Sequence, residues 1–214
     1  MSSKSQVTLV PWDPKSTTHL QRLVEQRLQC TWDHEKVATS WRESQIKGNK
    51  CLYWIEAEML QDTAAYINGV ARDASKRNFV PVGHIALDEG NPDAKDIELD
   101  LPSEGVFWIK TFFVTHALQS KGIGRAALDE VETMAVKEPL QARILMLDTV
   151  QKDDQRRKEF ADLVYGGMPK VTNQEWYARR GYRLAKTVQN YYQVPDKTGK
   201  IWDTKTVFMR KDIA

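Results

Sequence analysis

The chain has 214 residues, of which 41% are hydrophobic and 28% charged, enough for one domain with a substantial core. Lys and Arg number 31 against 29 Asp and Glu, a net charge of +2. So even a balance gives no field that would by itself collect nucleic acid or anionic lipid, so any anion has to be held by local geometry.

In chain order, Gln6–Val10 alternates like a short first strand. His19–Gln29 and Glu35–Lys47 carry apolar residues at helical spacing, and Gly48-Asn49-Lys50 punctuates the turn that follows. Cys51–Glu58 reads as a strand, Met59–Asn78 as a polar loop with a little helix, and Val80–Leu87 as a second strand. Asp88–Asp96 is a turn cluster. Val106–Thr115 (VFWIKTFFVT) is the strongest strand signal, rich in aromatic and β-branched residues. A loop with two glycines and two cations, LQSKGIGR, then opens a helix to about Lys137, with Ile123, Ala127, Val131 and Met134 on one face. Arg143–Val150 is a near-continuous apolar run, as in a strand buried on both faces. Gln151–Tyr165 is charged and helical in pattern, and Gly166-Gly167-Met168-Pro169 breaks it. Asn173–Arg180 reads as a short helix ended by Gly181. Tyr182–Val194 and Lys205–Arg210 read as strands joined by a turn at Pro195–Lys200. This order predicts a mixed α/β domain with helices covering an open sheet.

The start MSSKSQVTLVPWDP has no apolar run behind a basic segment, and no stretch approaches the ~18 apolar residues of a membrane span. The expectation is a chain without a membrane partner, its two cysteines, Cys30 and Cys51, unpaired in a reducing compartment, cytoplasmic or nuclear. Four histidines without paired spacing and two distant cysteines make no metal-ligand pattern.

The glycine loop carries the chemistry. A helix start exposes backbone N–H groups with no partner inside the helix, and the helix dipole adds about half a positive charge there. Gly122 and Gly124 let a ligand approach the backbone, and Lys121 and Arg125 add charge, a combination suited to phosphate or pyrophosphate. A strand-to-helix turn using glycine for geometry alone is the plainer alternative. No Walker loop is present. A dinucleotide fingerprint would need Gly where Ala127 stands, and no run of further βαβ units follows.

Gln119-Ser120-Lys121-Gly122-Ile123-Gly124 resembles the Q/R-x-x-G-x-G/A loop of the GNAT-type N-acetyltransferases. Phe112-Phe113-Val114 looks like the family's splayed fourth strand, and Trp176-Tyr177-Ala178-Arg179-Arg180-Gly181-Tyr182 resembles its Y-x-x-x-G-[FY] landmark. The resemblance implies a single domain over residues 6–214: a mostly antiparallel sheet flanked by helices, with a splayed fourth strand and an insertion over about 151–172. It implies acetyl-CoA as cosubstrate, the backbone amides of Lys121, Gly122, Ile123, Gly124, Arg125 and Ala126 holding its pyrophosphate, with Gln119 and Ser120 in the same loop. Phe112 and Val114 would pair with the pantetheine arm through their main chain, as an added strand would. Tyr177 takes the family position of the proton donor to the CoA thiolate, and the Val114 N–H that of an oxyanion donor. Where some relatives carry a Glu base, this chain has Trp108. Asp148, near the end of the fifth strand, is the carboxylate that would assist deprotonation of the amine, with strand-end capping as its plainer role. His116 stands where many relatives have Pro, and His84 is read as a packed sheet residue. Trp32, Trp41 and Trp54 are read as core before pocket. The acceptor would be a primary amine of a small molecule or peptide, with no nucleic acid partner, in a monomer or homodimer. The 151–172 insertion is either a lid on the acceptor side or a solvated helix burying Phe160, Leu163 and Val164. A catalytically inactive acyl-CoA-binding module is the alternative function.

Overall fold

A computed structural model describes residues 7–30, 32–67, 69–192, 196 and 198–213 of the chain. Gln6, residues 193–195, 197 and 214, on which part of the expected first strand, hairpin and domain ends falls, lie outside the described residues.

The elements run β1 (Leu9–Pro11), α1 (Thr17–Cys30), a 3-10 turn and a π-turn into α2 (Arg42–Ile46), β2 (Leu52–Gln61), a small hairpin of β3 (Tyr66–Ile67) and β4 (Val70–Ala71), then β5 (Asn78–Asp88). They continue with β6 (Val106–Val114), α3 (Ile123–Ala135), β7 (Ile144–Val150), α4 (Lys152–Gln155), α5 (Lys158–Phe160), a π-turn at Ala161–Tyr165, α6 (Asn173–Ala178), β8 (Arg183–Gln189) and β9 (Lys205–Asp212). The main sheet has seven strands in the order β1-β2-β5-β6-β7-β9-β8. Every neighbouring pair is antiparallel except β6 with β7.

Both faces of the sheet are covered. Ala127, Leu128, Val131 and Ala135 of α3 pack with Ile55, Ile85, Phe107, Ile109, Leu145, Leu147, Val207 and Met209 in the largest core cluster. On the other face α1 and the 37–41 turn bury Leu23, Val37 and Trp41 against Trp12, Leu52, Trp54 and Ala86. Farther along that face, Ala94 and the segment around Ile97–Leu101 cover Trp108, Ile144, Met146 and Phe208. Trp41 and Trp54 are therefore core, as expected, and Trp32 is half-buried. Neither cysteine forms a disulfide.

Two segments differ from the sequence reading. Among the described residues of 59–78 there is no helix: β2 runs on to Gln61 and the hairpin follows. Asp62 explains the hairpin's form, because its carboxylate takes a two-pronged contact from Arg72 (2.9 and 2.8 Å) and the Ser75 N–H and hydroxyl (3.0 and 2.6 Å). The Arg72 guanidinium beside it holds the Asp62 carboxyl well below the usual carboxylate range. The charged stretch 151–165 is a series of short turns rather than one helix, since Arg157 is extended at φ −66°, ψ 117°. The break lets Arg157 reach the Asp203 carbonyl (2.5 Å) and Asp154 accept from the Lys205 N–H (2.7 Å). Phe160 is buried, as expected, against Trp202 at 5.3 Å between ring centroids, while Leu163 and Val164 are half-buried.

Candidate active site

The site begins where the sheet opens. β6 and β7 pair only at Val106–Ile144, Phe107–Leu145 and Trp108–Met146, although β6 continues to Val114 and β7 to Val150. Beyond Trp108 the two strands diverge. A bulge in β6 marks the opening: His84 and Ala86 of β5 face Phe113 and Lys110, so one extra residue lies on β6. Thr111 is that residue, held at φ 51°, in the left-handed region that a β-branched side chain rarely adopts. The bulge resets the strand's alternation, so that Ile109 and Phe112 both lie on the α3 face. Close approach of β5 at this point requires glycine. A Cβ on Gly83 would run into the Phe113 carbonyl and lie 3.0 Å from Val114 Cα.

Peptide geometry then assigns the free edge of β6. The Phe113 carbonyl points at Gly83 of β5, and the Thr115 N–H donates to the Val82 carbonyl at 2.8 Å. In a trans peptide the N–H points opposite to the carbonyl. The N–H and C=O of Val114 are thereby turned toward the opening. The Val114 carbonyl is already used, since Gln119 Nε2 donates to it at 2.9 Å. Sequence reasoning placed Gln119 in the loop and missed this tie between loop and strand.

The loop follows directly. Ser120 (φ 63°) and Gly122 (φ 83°) are both left-handed, and Gly122 starts α3 without a side-chain cap. Ala126 is the first residue whose N–H bonds back into the helix, to Gly122 at 3.0 Å. That spends the Ala126 amide, so the donors available to an anion are those of Lys121 to Arg125, in a concave nest at a helix start. Lys121 and Arg125 are exposed beside it. Gly124 lies in the first turn, where a Cβ would meet Phe112 at an ordinary 3.5 Å. Its place in the pattern is therefore less demanding than that of Gly122.

On the far side of the opening, α6 carries Tyr177. The ring packs on Trp176 (4.9 Å) and Tyr182 (5.7 Å), and Trp176 lies 6.2 Å from Phe112. Burial, and next the Asp148 carboxylate, raise the Tyr177 phenol well above its ordinary range, so it stays protonated at neutral pH. Asp148, on β7, is half-buried. Burial pushes its carboxyl up, against a hydrogen bond from Tyr192 and the charge of Lys110. Lys110 is held by Asn91 Oδ1 (2.8 Å) and lies 3.6 Å from Asp93. Burial and the Asp148 charge raise Tyr191, next to Tyr192, to about 12. Tyr191 and Tyr192 lie at the end of a strand reading, and only the structure places them at Asp148.

The other candidates fall outside this group. Trp108 is core, 6.2 Å from Phe208. His84 is buried, with Nδ1 2.7 Å from Gln26 Oε1 and Nε2 3.4 Å from Arg27 Nη1. A guanidinium only donates, so Nε2 accepts and Nδ1–H donates to Gln26, whose Nε2 donates to the Pro81 carbonyl at 2.6 Å. This is the packed sheet residue expected of it. His116 is exposed against Phe113, 5.5 Å between ring centroids. Among the described residues no group of three or more His, Cys, Asp or Glu side chains is placed to hold a metal ion, and no helix is long and apolar enough to cross a membrane.

Comparison with known proteins bears on this arrangement. A model of the acetyltransferase (GNAT) family matches residues 20–163. No curated protein matches the chain in sequence. Among solved structures, the chain is similar to an aminoglycoside 6'-N-acetyltransferase complexed with coenzyme A (15% identity, TM-score 0.55, 97% of each chain covered). It is also similar to Arabidopsis thaliana NAA60 in complex with a bisubstrate analogue (13% identity, TM-score 0.57, 98% of this chain and 100% of that one). The aminoglycoside 6'-N-acetyltransferase from Enterococcus faecium is a third (13% identity, TM-score 0.55, 97% of each). At these identities the likeness is one of fold.

Proposed function

The chain belongs to the GNAT acetyltransferase family, and from that premise we propose that it transfers an acetyl group from acetyl-CoA to a primary amine of a small molecule or peptide. The observation that carries the reading is the juxtaposition at the opening between β6 and β7: an open strand edge, a nest of helix-start amides at one end, and Tyr177 near enough to Asp148 for the carboxylate's charge to act on its phenol. The amides of Lys121 to Arg125 would bind the CoA pyrophosphate, and the edge of Phe112 and Val114 the pantetheine arm.

The chemistry follows from where protons sit. Asp148, half-buried beside Tyr192, accepts a proton from the ammonium, directly or through water, and leaves a nucleophilic amine. The amine attacks the thioester carbon. The carbonyl oxygen gains charge and takes the Val114 N–H, which points into the opening. The C–S bond breaks and the Tyr177 phenol gives its proton to the departing thiolate; the nitrogen loses its second proton to the phenolate left behind, Asp148 returns its proton to solvent, and the N-acetylated amine and CoA leave. A carboxyl raised by burial and a phenol kept neutral are a base and an acid suited to these two transfers. A site for the soluble protein in cytoplasm or nucleus, as monomer or homodimer, is part of the same proposal.

The test is a melting-point shift with acetyl-CoA, then thiol release with kanamycin, a hexapeptide with a free α-amine, and spermidine. Saturation at ~100 times the dissociation constant adds about 2.7 kcal/mol, a rise of a few degrees for a domain this size. Tyr177→Phe is expected to lower turnover at least ~100-fold with unchanged acetyl-CoA affinity. No shift with acetyl-CoA in folded protein overturns the proposal, and a shift without thiol release on any amine selects an acyl-CoA-binding module instead.

A further inference from the structure

The insertion at 151–172 is tied on two sides. Toward the β8–β9 hairpin, Asp154 takes the Lys205 N–H (2.7 Å), Arg157 donates to the Asp203 carbonyl (2.5 Å), Lys200 pairs with Glu159 (3.0 Å), and Phe160 packs on Trp202. Toward α6 it grips the first turn. The Lys152 N–H donates to Gln174 Oε1 (2.8 Å), Arg156 makes a two-pronged contact with Glu175 (2.9 Å each), and Gln155 Oε1 takes the Asn173 N–H (2.8 Å).

Gln155 stands apart among these groups. It is 2% exposed, and the other two contacts to α6 are exposed. Its side chain also lies beside the Tyr165 hydroxyl, at the end of the π-turn. One buried amide thus joins α4, the π-turn and the start of α6. Helix α6 has six residues, too few to hold itself in place. Its own device is a capping box, Thr172 with Glu175, and Glu175 is also the partner of Arg156. Tyr177 follows the capped Asn173 by one helical turn, so its height and rotation are set by how that first turn is seated.

We propose that Gln155 is a positioning residue for Tyr177: by capping Asn173 from inside the insertion, it fixes where the phenol stands in the opening. The inference rests on the proposed role of Tyr177 but concerns its placement, which is measurable without an acceptor. The insertion is then a cradle for the α6 helix rather than a lid.

The experiment uses the full chain with its seven tyrosines replaced by 3-fluorotyrosine, the Tyr177 and Tyr165 fluorine signals being assigned by Tyr177→Phe and Tyr165→Phe, and coenzyme A as probe. In Gln155→Met, which keeps the side-chain volume and removes the polar contact to Asn173, the Tyr177 signal is expected to shift or broaden and its response to coenzyme A to fall at least two-fold. Gln155→Glu keeps an oxygen for the Asn173 N–H and is expected to restore both. Glu159→Ala, which loosens only the hairpin side, is expected to leave Tyr177 where it is. A Tyr177 signal and coenzyme A response in Gln155→Met equal to those of the wild type overturn the inference. So does an equal disturbance by Glu159→Ala, which would mean general loosening. If Tyr177 in the wild type ignores coenzyme A, the proposed role of Tyr177 fails, while its signal in Gln155→Met still decides whether Gln155 seats it.

Discussion

Gly83→Ala tests the geometry that opens the site. The added Cβ would overlap the Phe113 carbonyl oxygen and lie 3.0 Å from Val114 Cα and 3.2 Å from Ile55 Cδ1. Carbon atoms rest at about 3.5–4.0 Å, so β6 has to withdraw by roughly 0.5–1 Å, and two of the three obstacles are backbone. Overpacking of this kind costs about 1–3 kcal/mol. Stretching the Thr115–Val82 hydrogen bond, now 2.8 Å, adds about 1 kcal/mol. The expected loss is ~2–4 kcal/mol in urea unfolding at pH 7. The edge that carries Val114 moves with it, so the melting-point rise with acetyl-CoA should shrink as well. Gly124→Ala is the control, because its Cβ meets Phe112 at an ordinary 3.5 Å and alanine favours the helix. It should be neutral or slightly stabilising. A loss below about 1 kcal/mol in Gly83→Ala, or an equal loss in Gly124→Ala, refutes the reasoning.

Thr111→Gly should raise stability by about 1 kcal/mol, because left-handed strain of about 1–3 kcal/mol is relieved against about 0.5–1 kcal/mol of glycine entropy; urea midpoints check it, and an unchanged or lower midpoint contradicts it. Stability should also fall with acid earlier than carboxylates alone would cause. Burial, then the charges of Arg27 and Lys50, hold His84 well below its ordinary range, so below about pH 6.5 the unfolded chain binds a proton that the folded one refuses. The slope should approach ~1.4 kcal/mol per pH unit there, and His84→Gln should flatten it; equal slopes in the two proteins would contradict the assignment. Phe160→Ala should cost about 3–5 kcal/mol, measured by the same unfolding, since its ring is 3% exposed and bears on both Tyr165 and Trp202.

Much of the fold is written in local patterns. The aromatic and β-branched run at 106–115 and the apolar run at 143–150 became β6 and β7 almost residue for residue, because both are central strands whose burial dictates their composition. The loop was legible for the same reason, since left-handed turns and helix starts have few residue choices. The stretch 151–165 was not. Its helical periodicity is real, and contacts 46 and 51 residues away, at Asp203 and Lys205, outweigh it; propensity is a weak prior beside such contacts. The hairpin at 66–71 was hidden likewise, because Asp62, Arg72 and Ser75 act across a gap that no period describes. Tyr177 and Asp148 were readable as candidates, but the neighbours of Asp148 come from elsewhere, Lys110 from β6 and Tyr192 from the segment after β8, and only the folded sheet brings them to it.

The bond from Gln119 to the Val114 carbonyl ties the loop to the strand. The tie holds the loop that carries the Lys121–Arg125 amides close to the strand end at Val114. A ligand that engaged both, as proposed, would be measured for length: its anionic group and its extended arm would have to be spaced to match. A shorter or longer arm would forfeit one end, whatever chemistry it carries at the tip.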